Sequence, residues 1–264
     1  MGTYEVVARN YSEASENKIH SQEIARNYGF SSGLVPGVAV FGHMTYPMAG
    51  KNFGEAWFEG YEAELRLLQP VYSGDVLYIE HTRNGDGYDV SCTARNGTLI
   101  ARMNSRRSTE NIDPIATAPS GPAASARERI HWDSIDIGNA LPSWNWQTTE
   151  AENDAYTTEI SDSLPIYQAG LVHPHAILSV SNQALSRHFD MPAWLHVGSK
   201  IQFRIPIQVG SELKIRSVPT EKWRNKGHEF VNLNVSYTFQ DKVAVEVLHT
   251  AIYKIRSTSE TTQS

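Results

Sequence analysis

One cysteine in 264 residues excludes an intramolecular disulfide and every two-cysteine metal or redox motif. Its setting, Tyr88-Asp89-Val90-Ser91-Cys92-Thr93, alternates like a strand and predicts a buried thiol, a reactive nucleophile being the alternative. No apolar run approaches the roughly 20 residues needed to span a bilayer, and no membrane partner is expected. Cationic excess is also missing. The net charge of −6 argues against broad phosphate binding and so against a nucleic-acid partner, although a local basic patch could still hold one anionic ligand. Neither a phosphate-cradling glycine loop nor a Gly-x-Ser-x-Gly elbow is present. The first residues, Met1-Gly2-Thr3-Tyr4-Glu5, lack the basic start and apolar stretch of a signal peptide, so a cytoplasmic protein is expected.

What is present is a repeat. Gly33-Leu34-Val35-Pro36-Gly37 is echoed by Gly170-Leu171-Val172-His173-Pro174, an offset of 137. Pro70-Val71-Tyr72-Ser73-Gly74-Asp75-Val76-Leu77 is echoed by Pro206-Ile207-Gln208-Val209-Gly210-Ser211-Glu212-Leu213, an offset of 136. Two separated matches at nearly one offset imply two pseudo-equivalent units, and the period is too long for a solenoid. The length suits two domains of common size.

Punctuation places the elements. Tyr4 to Arg9 is a short strand candidate, and Asn17 to Tyr28 reads as a helix stopped by Gly29. Pro36 to Met48 is apolar all round and predicts a buried helix with Pro36 at its entrance. Strands are expected at 57–68, 76–82, 88–94 and 99–103, with hairpin signals at Asn84-Gly85-Asp86-Gly87 and Asn96-Gly97. Residues 1–107 form the expected first domain. Residues 108–128, rich in Pro, Ala and Ser, read as an exposed linker. The second domain, 129–256, repeats the pattern: a helix over 174–188, then strands at 195–205, 212–219, 229–239 and 243–255. A polar tail, 257–264, is expected to fray.

A long helix followed by long antiparallel strands, occurring twice, resembles an α+β double hotdog, two curved sheets each wrapped on a central helix. Joining such domains edge to edge removes two exposed edges. The segment Ser15-Glu16-Asn17-Lys18-Ile19-His20, then Ala25, Gly29-Phe30 and Leu34-Val35-Pro36-Gly37, resembles the motif of the MaoC-like, or R-specific enoyl-CoA hydratase, family: Asp-x-Asn-Pro-Ile/Leu-His, Gly-Phe, Ile-Val-His-Gly. The likeness runs over most of the chain. It implies a hydro-lyase acting reversibly on the α,β-bond of an acyl thioester, or on a similar β-hydroxy carbonyl compound. The acyl group would ride on coenzyme A or an acyl carrier, with no separate cofactor and no metal, and a homodimer is left open. A hotdog thioesterase and a non-catalytic acyl-ligand-binding protein are the alternatives.

Carried over residue by residue, the resemblance makes His20 the base, Asn17 the asparagine, and Gly37 the oxyanion donor at a helix N-terminus. Such chemistry needs a base near neutral pKa and a donor for the developing enolate oxygen. The family's aspartate falls on Ser15 and its histidine before the glycine on Pro36. Glu16 is adjacent, and if the segment is helical it shares a face with His20 and substitutes for the acid. The plain alternative is that Glu16 is solvated and His20 a structural hydrogen-bonding residue. His43, six residues past Gly37, could face the cavity or the core. In the gapless register of the second copy, His20 becomes Thr157 and Ser15 becomes Glu152. A looser register sets Asp162 and Tyr167 there, at the expense of ten residues, and is disfavoured. Pro174 in place of Gly37 has no N–H to offer. His173-Pro174-His175 is a weak metal candidate. Trp132, Trp144, Trp146 and Tyr156 line a pocket or cover the sheet. Arg106-Arg107 and Lys222-Arg224-Lys226 are either anchors for coenzyme A phosphates or solvated strand ends.

Overall fold

The alternating segments join into one antiparallel sheet of ten strands, seen in a computed structural model that describes residues 2–122 and 126–256. The first half contributes β1 (Gly2–Val7), α1 (Gln22–Asn27), α2 (Gly37–Pro47), β2 (Tyr61–Leu67), β3 (Val76–Asn84), β4 (Gly87–Ala94) and β5 (Leu99–Arg107). The second contributes β6 (Glu128–Arg129), β7 (Trp144–Gln147), α3 (Glu150–Glu159), α4 (Pro165–Gln168), α5 (Pro174–Ser186), β8 (Phe189–Asp190), β9 (Leu195–Phe203), β10 (Glu212–Asn225), β11 (His228–Phe239) and β12 (Lys242–Lys254). The strand order β1-β3-β4-β5-β2-β9-β12-β11-β10-β7 reads alike from both ends. The halves meet at β2 and β9, paired from Tyr61–Phe203 to Arg66–Gly198, so neither keeps an open edge there. The parallel pair β6–β8 stands apart from this sheet.

The apolar helices α2 and α5 lie side by side under the sheet. Val38, Ala39, Val40, Phe41 and Met44 are all buried, as expected of a helix with no polar face. The expected strand at 57–68 begins only at Tyr61, because Gly54–Phe58 winds as a 3-10 turn that buries Trp57 and Phe58. Cys92 is buried on β4, and burial pushes its thiol up to about 12, which makes it an inert core residue.

Backbone hydrogen bonds fix the internal equivalence. Leu34 N–H donates to Ile19 O at 3.2 Å, and Leu171 N–H to Ile166 O at 3.1 Å. Val35 N–H donates to Val71 O and Val172 N–H to Ile207 O, both at 2.8 Å. Ile166 therefore matches Ile19, Tyr167 matches His20, and Asp162 matches Ser15. The gapless register through Thr157 and Glu152 is overturned. Its ten surplus residues are accounted for by α1, which has no counterpart between Tyr167 and Leu171.

The Pro-rich segment after β5 is largely exposed, as the sequence suggests, but it is also tied to the sheet. Ala116 is buried, its carbonyl accepts from Ser236 Oγ at 2.6 Å, and Asp113 N–H donates to Glu246 Oε1 at 3.1 Å. Small side chains allow that close approach to β10–β12. Residues 123–125 of this segment, and the tail at 257–264, lie outside the described residues.

Candidate active site

Residues 13–16 form turns and bends, so the helix expected from Asn17 is delayed. Asn17 instead caps a 3-10 turn, Lys18–His20, and Ser21 then caps α1 by accepting from Ile24 N–H. The amide of Asn17 is saturated. Its Oδ1 accepts from Ile19 N–H at 3.3 Å and Trp194 N–H at 3.1 Å; its Nδ2 donates to Trp194 O at 3.0 Å and faces His20 Nε2 at 3.3 Å. Trp194 belongs to the other half of the chain. One side chain thus fixes His20 and ties both halves together at the site.

His20 Nδ1 lies 2.7 Å from Leu34 O. A carbonyl only accepts, so Nδ1 carries the proton and Nε2 is left with its lone pair. Burial lowers the pKa of the ring, against a smaller upward effect of the Leu34 carbonyl, so the imidazole is neutral at neutral pH. The result is a base with a fixed tautomer. Gly33 allows this placement, because a Cβ there would fall 2.1 Å from the His20 carbonyl oxygen. Gly33→Ala is expected to cost roughly 1–3 kcal/mol by forced displacement, measured by thermal melting, and to shift the NMR signals of the His20 ring. An unchanged melt and spectrum would show that the two backbones can separate freely.

Facing His20 is the N-terminus of α2. Pro36 is its cap residue and makes no side-chain cap hydrogen bond, so the N–H groups of Gly37 and Val38 stay available and bring the positive end of the helix dipole. A Cβ on Gly37 would lie 2.4 Å from Leu67 Cδ1 and 3.2 Å from His196 Nδ1, so glycine lets β2 and β9 close over this end. His20, Gly37, Leu34, Leu67, Trp194 and His196 line one chamber of about 190 Å³. A second chamber, of about 330 Å³, shares Asn17, His20, Pro36, Asn182 and Trp194 with the first and continues along α5 to Tyr156, Glu159 and Ser179.

The corresponding place in the second half is closed. His173 caps α5 by accepting from His175 N–H through Nδ1 at 3.0 Å, and Pro174 supplies no N–H. His173 Nε2 lies 3.2 Å from Asp162 Oδ2, both side chains fully buried, and Tyr167 packs against the His173 ring. The His173-Pro174-His175 step is thus a helix cap. Among the described residues, no group of three or more His, Cys, Asp or Glu could hold a metal ion.

One expectation for the first site changes. Glu16 does not reach His20: it sits on a bend, half exposed, and pairs with Arg127 at 2.5 Å. The assumed helical register between them does not exist, although Glu16 and Ser15 both border the second chamber. Ser15 Oγ donates to Asn17 O at 3.3 Å. His43 faces inward, beside His173 and Asp162, where burial lowers it to about 4; it borders neither chamber. The basic clusters are engaged: Arg106 pairs with Glu62, Arg224 with Glu229, and Lys222 Nζ donates to the carbonyls of Trp132 and Ile135. Of the aromatics, Tyr156 borders the second chamber, while Trp132, Trp144 and Trp146 pack on the core.

Trp194, Asn182 and Glu159 were not singled out in the sequence. Asn182 had a signal: His175, Ser179, Asn182 and Ser186 fall at helical spacing and mark one polar stripe along α5. Its Oδ1 lies 3.0 Å from His249 Nε2, which leaves its Nδ2 for the cavity. No helix among the described residues is long and apolar enough to cross a membrane.

No family model matches the chain, and no curated protein is detectably similar in sequence. Solved structures are similar in fold. A protein described as a MaoC-like dehydratase shares 14% identity at a TM-score of 0.60, over 96% of this chain and 97% of its own. A conserved hypothetical protein from Mycobacterium tuberculosis, described as having a double hotdog fold, shares 14% identity at a TM-score of 0.62, over 95% of each chain. A provisionally assigned oleoyl thioesterase from Lactobacillus plantarum shares 8% identity at a TM-score of 0.51, over 96% of each. The chain has the double hotdog fold, the architecture described for the Mycobacterium tuberculosis protein.

Proposed function

We propose that the protein adds water to, or removes it from, the α,β-bond of an acyl thioester. The reading rests on one observation: the unprotonated Nε2 of His20 and the uncapped N-terminus of α2 at Gly37 border the same chamber. In hydration, His20 Nε2 exchanges its 3.3 Å contact with Asn17 Nδ2 for a water and takes a proton from it as the water oxygen bonds to Cβ. The double-bond electrons move toward the thioester oxygen, which accepts from Gly37 N–H as the enolate forms. The protonated ring then delivers its proton to Cα, and the enolate collapses to the carbonyl. Water has been added and His20 restored. Dehydration runs the same steps backward.

With serine at position 15 and Glu16 held by Arg127, one base serves both transfers. The same base and oxyanion donor also suit hydrolysis of the thioester, the second reading, because that reaction needs no proton placed on Cα. A screen of short, branched and aromatic enoyl-CoA compounds tests the proposal. The expected result is loss of the conjugated thioester absorbance without release of free thiol. Thiol release would establish the hydrolase reading, and no turnover of any member would exclude both.

A further inference from the structure

We propose that the acyl group accepted by this site carries a hydroxyl substituent, and that Glu159 in the wall of the second chamber receives it. The inference rests on the reading of His20 and Gly37 as the reacting pair, since those two residues fix how a substrate runs. A carbonyl oxygen at Gly37 lies in the first chamber. Cα and Cβ must then lie by His20, on the wall common to both chambers, and the rest of the acyl group continues into the second.

That second chamber is lined in large part by hydrogen-bonding groups, among them Tyr156, Glu159, Ser179, Asn182 and Gln183. An alkyl chain would strip water from them and return no hydrogen bond. Glu159 is the most demanding of these groups. It is the last residue of α3, where the helix dipole opposes a negative charge, and its side chain is only 15% exposed. Its nearest possible cation, His175 Nε2, lies 4.0 Å away, beyond hydrogen-bonding distance, and burial holds that ring neutral. Burial alone pushes the Glu159 carboxyl up to about 7, so near neutral pH it exists in both protonation states. A hydroxyl suits both, donating to the carboxylate and accepting from the acid. A carboxyl without a hydrogen bond, facing a cavity that the base also borders, is a recognition group awaiting a partner.

The test is binding of freshly prepared saturated thioesters, which have no α,β double bond to hydrate, measured by calorimetry. 4-Hydroxybutanoyl-CoA and 5-hydroxypentanoyl-CoA are each compared with the alkyl thioester of equal chain length, on the intact protein and on Glu159→Leu and Glu159→Gln. The hydroxylated member of at least one pair is expected to bind about tenfold tighter, which corresponds to one well-placed hydrogen bond. Glu159→Leu is expected to abolish that preference and Glu159→Gln to keep most of it. If Glu159→Leu does not fold, Glu159→Met is the deciding variant. Equal or tighter binding of the alkyl thioesters, an undiminished preference in Glu159→Leu, or no binding of any member overturns the proposal. A hydroxyl preference lost in Glu159→Leu, with no turnover of the matching enoyl thioesters, supports Glu159 as the recognition group and sinks the hydratase reading alone.

Discussion

His20→Ala is expected to lower turnover of an accepted enoyl thioester by about two to four powers of ten, the span for a general base. The measurement is kcat with the substrate at saturation. A rise in KM alone, with kcat preserved, would show that His20 only binds. His20 is buried and bonded on both nitrogens, so the same substitution is also expected to cost roughly 1–3 kcal/mol of stability by leaving the Leu34 carbonyl unpaired. Thermal melts must therefore accompany the kinetics. Glu16→Gln is the instructive control. Because Glu16 pairs with Arg127 on a half-exposed bend, its turnover is expected to stay near that of the unmodified protein. A loss as large as that of His20→Ala would mean that the carboxylate swings into the second chamber during reaction. The pH profile has a defined sign: burial lowers the His20 pKa, so the acid limb of activity lies below the ordinary histidine value of 6.5.

The second large effect is acid unfolding. His20, His43, His173, His175, His196 and His249 are all buried, and burial lowers the pKa of each, His43 and His196 to about 4. Each folded-state value is below the unfolded value of 6.5. The unfolded chain therefore binds more protons as pH falls, and the stability these neutral rings contribute is present above 6.5 and lost below it. Each ring contributes a slope of up to about 1.4 kcal/mol per pH unit in that window. Between pH 6.5 and 4, His43 and His196 alone would remove about 3 kcal/mol each, against a total of about 5–15 kcal/mol for an ordinary domain. Urea midpoints are expected to fall steeply from pH 6.5 downward, with loss of structure above pH 4. Midpoints that stay level from pH 7.5 to 4.5 would show that water enters these rings' surroundings.

The parts legible in the sequence are those enforced by local backbone demands. Gly74 and Gly210 share φ near +90° at equivalent turns, 95° and 90°, which is why the Pro-x-x-x-Gly steps repeat visibly. The helix entrance from Gly33 to Gly37 is legible for a similar reason, since the His20 backbone crowds Gly33 and the Leu67 side chain crowds Gly37. Contacts that cross the fold leave no such trace. Nothing beside Glu16 marks Arg127 as its partner, and nothing beside Asn17 marks Trp194. The register of the second copy misled because α1 adds length to one copy only, and the gapless match is a rule about residue numbers, not about hydrogen bonds. Glu159 is invisible in sequence because a glutamate ending a polar helix is unremarkable until its surroundings are known.

The proline that opens α5 has a genetic meaning as well as a chemical one. In an assembly of two identical protomers, any change is written twice, and a proline at the helix entrance would erase both oxyanion donors together. Carrying the two halves on one chain removes that coupling. One half can lose its donor, fill its cleft with Asp162, Tyr167 and His173, and lend Trp194 and Asn182 to its neighbour's chambers, while the other stays open. Covalent linkage also guarantees that every molecule holds one half of each kind, where two separate products would assemble into like and unlike pairs. The fusion is what makes specialisation heritable.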